Sequence, residues 1–287
     1  MTKFDKDYKD MVKDVLTYGA EYRNRNAPTL ALFPATFTVD FANGFPILSL
    51  RKIAFKQAVG EFIGFLRGYT KKSEFNSVGC TYWDTTPAFK DLDASINCRQ
   101  DLLSPANDEL GPIYGKQWRD FNCEYYDQLQ ILINNIRTDP FSRRHILQSW
   151  NPAQTYSMAL PPCHLGAQFH IDNQGDLHCS VWMRSLDVML GFPYDVIVYS
   201  LLMHVIEAKT GYRAAKLYFM LGNTHIYTKH TENAVKLLEV DPPYHLAPCL
   251  IVDPAVKNLD LYDIQPEHFS LDSYMPVDND LKFELFV

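Results

Sequence analysis

Apolar side chains at Phe4, Tyr8, Met11, Val12, Val15 and Leu16 recur at helical spacing, so the chain is predicted to open with an amphipathic helix. Residues 29–50 read as strand-rich, with turn chemistry at Asn43-Gly44. Phe55, Val59, Phe62, Ile63 and Leu66 predict a second helix, ended by Gly68. The stretch from Tyr69 to Leu110 is the least regular, and its largely polar run 91–107 reads as a surface loop. Leu129, Leu132, Ile133 and Ile136 predict a helix that stops near Pro140. A strand at about 164–172 turns through Asn173-Gln174-Gly175 into a second one. There Leu177, Cys179, Val181 and Met183 alternate with His178, Ser180 and Trp182 in the period-2 pattern of a half-buried strand. Residues 196–208 are almost wholly apolar and close at Gly211, which predicts a helix buried all round. A strand at about 216–221 and a helix at about 228–239 complete the pattern. No internal repeat, low-complexity tract or linker interrupts it, so residues 1–287 are expected to form one α+β domain on a large mixed β-sheet flanked by helices, with a loop insertion at about 85–109.

Composition narrows the function classes. The chain has 287 residues, 47% of them hydrophobic and 21% charged, which suits a globular protein with a sizeable core. Its apolar runs fall short of the roughly 20 residues that span a bilayer, and its charged N-terminus lacks the apolar segment of a secretory signal. A net charge of −7 speaks against a broad nucleic-acid surface, so an anionic ligand would need a local cluster of arginines. The six cysteines are scattered without a CxxC pair, which favours reduced thiols in a cytoplasmic protein over a disulfide framework or a metal site.

The chemistry-bearing residues begin with Pro161-Pro162-Cys163-His164, between two predicted strands. A cysteine is most often a small buried hydrophobe, and a nucleophilic one needs its pKa lowered by nearby cations. Ser142-Arg143-Arg144 upstream and Arg184-Ser185 downstream are candidate sources. Arginine also meets phosphate oxygens in bidentate fashion, and adjacent arginines often simply decorate a surface, so spacing leaves these readings open.

Longer segments resolve the choice. Gly44-Phe45-Pro46, Gly60-Glu61-Phe62, Phe65-Leu66-Arg67-Gly68, Tyr82-Trp83-Asp84 and the run from Gly111 to Arg119 stand in order along the chain. Ser149-Trp150-Asn151-Pro152, the run from Met158 to His164, Arg184-Ser185 with Asp187 and Leu190-Gly191, and the run from Gly222 to Tyr227 follow. Together they resemble the thymidylate synthases over almost the whole chain. The resemblance implies that Cys163 attacks C6 of a pyrimidine nucleotide and makes C5 nucleophilic, with Glu61 and Tyr114 managing protons and His164 and Asp187 completing the catalytic set. It implies a phosphate site of Arg25, Arg184 and Ser185, joined by Arg143 and Arg144 from the second subunit of a homodimer. His225 and Tyr227 would hold the sugar hydroxyl. Trp83, Asp187, Leu190, Gly191 and Val287 would line the side that takes 5,10-methylenetetrahydrofolate, the carbon donor. Neither a metal, nor nucleic acid, nor a membrane belongs to this scheme. Adding a thiolate at C6 divides one hard step into two easier ones, and removing the C5 proton then needs a positioned base.

Three positions depart from the family's pattern. Asp195 stands where a synthase has the Asn that reads uracil, and a carboxyl group matches cytosine's N4 amino donor and N3 acceptor. Burial would favour the neutral acid this pairing needs. Asp would also N-cap the following helix, but Asn caps equally well, so capping does not explain the exchange. Met183 replaces Gln, and Arg23-Asn24-Arg25-Asn26-Ala27-Pro28-Thr29 replaces the usual phosphate loop, leaving Arg25 as first choice and Arg23 as fallback. Asp195 and Met183 resemble the family's dCMP hydroxymethylase branch. The expected product is therefore 5-hydroxymethyl-dCMP, with a dCMP methylase, an ordinary thymidylate synthase and a non-catalytic nucleotide-binding regulator as rivals. The tail 281–287 matches a synthase tail in length but not in sequence.

Overall fold

The computed structural model describes residues 1–24, 27–84, 98–104, 106–242 and 246–286. Helix α1 (Lys3–Tyr18) starts in a capping box: Thr2 accepts from the Asp5 backbone while the Asp5 carboxylate accepts from that of Thr2. It buries Phe4, Tyr8, Met11, Val12 and Val15, the predicted stripe. Strands β1 (Ala20–Arg23), β2 (Pro28–Leu32) and β3 (Ala35–Asp40) follow. Strand structure ends there, short of the expected 29–50 stretch. After a 3-10 turn at Phe41–Asn43, Gly44 takes φ 93°, a value glycine adopts without strain. Ile47, Leu48 and Leu50 then run buried without a ladder, held by Ser49 donating its N–H to Asp5 at 2.8 Å. Their apolar run reported burial, not a strand.

Helix α2 (Phe55–Arg67) ends as predicted on a left-handed Gly68, whose N–H returns to the carbonyls of Gly64 and Phe65. Two helices too short to show a period, α3 (Lys72–Ser77) and α4 (Tyr114–Arg119), were not expected. Of the predicted insertion, residues 85–97 and 105 lie outside the described residues, and Gln100–Leu103 forms a 3-10 turn. Helix α5 (Gln128–Thr138) stops before Pro140. Then come β4 (Ile146–Gln148), β5 (His164–Ile171), β6 (Asp176–Asp187), α6 (Phe192–Thr210), β7 (Arg213–Tyr227), α7 (Thr231–Glu239), β8 (Cys249–Val252) and β9 (Phe269–Asp272). Strand β7 is far longer than the predicted 216–221, because its polar end still pairs with β2 and β6. The predicted helix at 228–239 begins instead as a 3-10 turn, Thr228–His230.

The main sheet runs β1-β2-β7-β6-β5-β4, with β3 also paired to β7. It is mixed: β6 and β7 are parallel and the other pairs antiparallel. On β6 the predicted alternation holds, with Leu177, Cys179, Val181 and Met183 buried. On β7, Leu217, Phe219 and Leu221 face the core while Tyr218 and Met220 point outward, 38% and 45% exposed. Against the inner face lies α6, buried on all sides as its composition predicted, although it begins four residues before 196. Each fully buried Leu, Ile or Phe in this layer contributes roughly 1.5–3 kcal/mol. Among the described residues no helix is long and apolar enough to cross a membrane.

Candidate active site

The thiol of Cys163 sits at the mouth of β5, half-buried. Two bonds fix its backbone. Its N–H donates to the hydroxyl of Tyr114, the first residue of α4, at 2.9 Å, and its carbonyl accepts from Arg184 N–H on β6 at 2.9 Å. The Arg184 guanidinium is locked in turn, with Nε on the Pro162 carbonyl (2.8 Å) and Nη2 on that of Pro161 (2.7 Å). Nη2 comes within 3.9 Å of Cys163 Sγ, and the guanidinium lies 5.8 Å from the Trp150 ring centroid. This cation pulls the thiol toward ionisation, as its spacing suggested. Burial outweighs it, and the nearby Asp195 and Asp187 add to the upward push, so the thiol's pKa lies above its ordinary value. Arg184 lowers the thiol's pKa as a nearby cation should, but by less than burial raises it.

Beneath Cys163, His164 is stacked on Tyr114, with ring centroids 4.1 Å apart and planes at 22°. Its Nδ1 lies 2.9 Å from the Tyr199 hydroxyl. Burial lowers its pKa to about 3, so the ring stays neutral.

Three carboxyl groups converge above the thiol. Glu61 comes from α2, Asp187 from the end of β6, and Asp195 from the first turn of α6. Burial raises Glu61 to about 7, with the adjacent Trp83 pulling the other way. Burial likewise raises Asp187 to about 6, opposed by the N–H groups of Leu190 (3.1 Å) and Met189 (3.0 Å), which both donate to Oδ1, and by Arg51. Asp195 is pushed well above the carboxylate range, first by burial and then by the charges of Glu61 and Asp187. It does not cap the helix: α6 begins at Phe192 after Gly191, and Asp195 N–H already donates to the Gly191 carbonyl at 3.1 Å. A carboxyl there is inside the helix and aimed by it. Met183, the second departure, is 2% exposed and packs in the core.

The parallel β6–β7 pair carries the rest. Its register sets Ser185 against Asn223 and Asp187 against His225. His225 Nδ1 lies 2.9 Å from Asn223 Oδ1, and burial lowers its pKa to about 4. Its ring meets Tyr227 edge-on at 5.0 Å. Tyr227, at the end of β7, donates its hydroxyl to the Phe286 carbonyl at 3.2 Å. On the other side, Trp83 from the 3-10 turn Tyr82–Asp84 approaches Tyr114 (6.4 Å between rings), and its neighbour Tyr82 meets Tyr194 in the first turn of α6 at 5.0 Å. The Trp83 indole N–H is the group that faces Glu61 and opposes the rise of that carboxyl.

Some predicted residues stay apart. Arg143 and Arg144 are exposed on the turn before the edge strand β4, and neither forms an ion pair among the described residues. Arg23 is exposed at the end of β1. Arg25 and Val287 lie outside the described residues. Conversely, two residues of the site were missed. Tyr199 follows Asp195 by four on α6, one turn along the same face, and that spacing was a usable signal. Arg51 is 7% exposed, donates to the Met189 carbonyl at 2.6 Å and holds Phe283 at 5.2 Å. An Arg51-Lys52 pair in an otherwise largely apolar stretch was its only mark.

Geometry of this kind has counterparts. The family model described as thymidylate synthase matches residues 6–287. The chain is similar to the thymidylate synthase of varicella-zoster virus (strain Dumas), at 35% identity over 94% of this chain and 90% of that protein. It is also similar to the thymidylate synthase of Enterobacteria phage T4, at 36% identity over 83% of this chain and 82% of the relative.

Proposed function

The chain belongs to the thymidylate synthase family, which carries out folate-dependent one-carbon transfer to C5 of a pyrimidine nucleotide, and we propose that its own nucleotide is dCMP and its product 5-hydroxymethyl-dCMP. One observation carries the choice of base: a carboxyl residue, Asp195, stands in the first turn of α6, where burial and the charges of Glu61 and Asp187 favour its neutral acid form. A neutral carboxyl donates its O–H to N3 of cytosine and accepts from the N4 amino group with its carbonyl oxygen. Uracil offers the inverse pair and would leave both oxygens mismatched.

In this reading the whole chain works as one catalytic unit. Arg184 steadies the Cys163 thiolate as Sγ bonds to C6, while Tyr114 fixes the Cys163 backbone. Glu61, titrating near neutral pH, passes protons to and from the base. Methylenetetrahydrofolate supplies the one-carbon unit when bound. The Trp83 indole, the Asp187 carboxyl and the half-buried Leu190 and Gly191 suit a flat heteroaromatic ring with donors and acceptors on its edge. Arg184 and Ser185, with Arg25, would take the phosphate, and His225 and Tyr227 the sugar. Arg143 and Arg144 would serve a second copy, across an open sheet face that exposes Tyr218, Met220 and Ile146.

Hydroxymethylation follows from capture of the C5 methylene by water, for which Glu61 is a suitably poised base. A dCMP methylase is the second reading, favoured by the docked tail at Phe283 and Phe286, since excluding water leaves reduction as the outcome. Mass spectrometry of products from dCMP and dUMP, incubated separately with methylenetetrahydrofolate and the native or Asp195→Asn protein, separates these readings. The native protein is expected to convert dCMP to the hydroxymethyl product. The variant is expected to shift the ratio of kcat/KM values toward dUMP by on the order of 10⁴-fold. Native preference for dUMP would leave ordinary thymidylate synthesis as the account.

A further inference from the structure

The last described residues lie in an extended run, and alternate carbonyls along it are each taken by a different side chain. Asn233 Nδ2 donates to the Lys282 carbonyl at 2.8 Å, His230 Nε2 lies 2.9 Å from that of Glu284, and the Tyr227 hydroxyl donates to that of Phe286 at 3.2 Å. The acceptors fall at every second residue, as on one edge of a strand, and the donors fall at every third, as on one side of a tight helical turn. Strand β7, the 3-10 turn and α7 thus present a ladder of donors cut to the pitch of an extended peptide. A carbonyl only accepts, so His230 carries its proton on Nε2. Its Nδ1 is then bare, and it is buried without a partner. Aromatic contacts add to the grip: Phe283 meets His230 at 5.3 Å, and Phe286 meets Tyr227 at 4.7 Å.

We propose that His230 and Asn233 are positioning residues which latch the C-terminal tail by its main chain, so that docking ends on the hydroxyl of Tyr227. Neither touches the reacting atoms. The latch reads backbone, which leaves the tail's side chains free to differ from those of related enzymes apart from the two phenylalanines.

Lys282, exposed within the tail, provides the test. Tryptic release of residues 283–287 from the full-length protein, followed by mass spectrometry, reports how often the tail leaves its dock. Asn233→Ala is expected to speed release by about 3–10-fold. His230→Ala is expected to do the same, and His230→Gln, which keeps a donor, to restore the slow rate. Thermal melting of each variant separates the latch from general destabilisation. Release from a normally melting Asn233→Ala protein at the native rate would overturn the latch.

Discussion

At the floor of the site, Cys163, Tyr114, His164 and Arg184 are held by backbone bonds and buried rings, all within one chain. The proposed rim, Arg143 and Arg144, stands apart from it, exposed before an edge strand and without an ion pair among the described residues. The floor is pre-set because desolvated groups tolerate no slack: a misplaced donor beside a buried carboxyl costs on the order of 1–3 kcal/mol. Exposed arginines cost little to leave loose, and they gain a fixed geometry only against another surface. In the proposed function this contrast separates covalent chemistry within each chain from a phosphate site that a second copy would complete.

The strongest blow to the floor is Cys163→Ser. Turnover is expected to fall by roughly 10⁵-fold or more, because a serine alkoxide is out of reach near neutral pH, while calorimetry still detects nucleotide binding. Substantial remaining turnover would remove the covalent mechanism. The rim is tested by mixing. An inactive Arg144→Ala chain combined with an inactive Cys163→Ser chain is expected to recover roughly a quarter of native activity, since half the dimers are mixed and each keeps one intact site. Mixed dimers that form and stay inactive would show that Arg144 serves its own chain or none.

A subtler change sharpens the account of the floor. The folded-state pKa of Glu61, about 7, lies above its ordinary value of 4.5, so the fold prefers the neutral acid. The resulting stability is fully present below pH 4.5 and is lost as pH rises through about 7. Glu61→Gln does not titrate, so its stability relative to the native protein should grow across that window and level off above it. The gain, reduced for a half-buried group, is on the order of 1–3 kcal/mol. Denaturant melts at pH 5 and pH 8 measure it, and an unchanged difference between the two would mean that Glu61 is not desolvated.

Much of this protein was legible in its residues. The stripes of α1, α2 and α5, the alternation on β6 and the all-apolar α6 each encode burial by local periodicity, so these elements emerged with small errors at their ends. The ordered motifs around Cys163, Arg184 and Tyr227 identified the chemistry. Apolar runs without a period misled at 45–50, because burial alone does not make a strand. What tertiary structure decided was whatever depends on neighbours distant in the chain. Burial was expected to favour the neutral acid at Asp195, but the further push comes from Glu61 and Asp187, which arrive beside it from other elements. Desolvation outweighs Arg184 at Cys163, and the donor ladder under the tail exists only once residues 227–233 and 282–286 have met. Periodicity is written in nearest neighbours, whereas protonation and latching are settled through space.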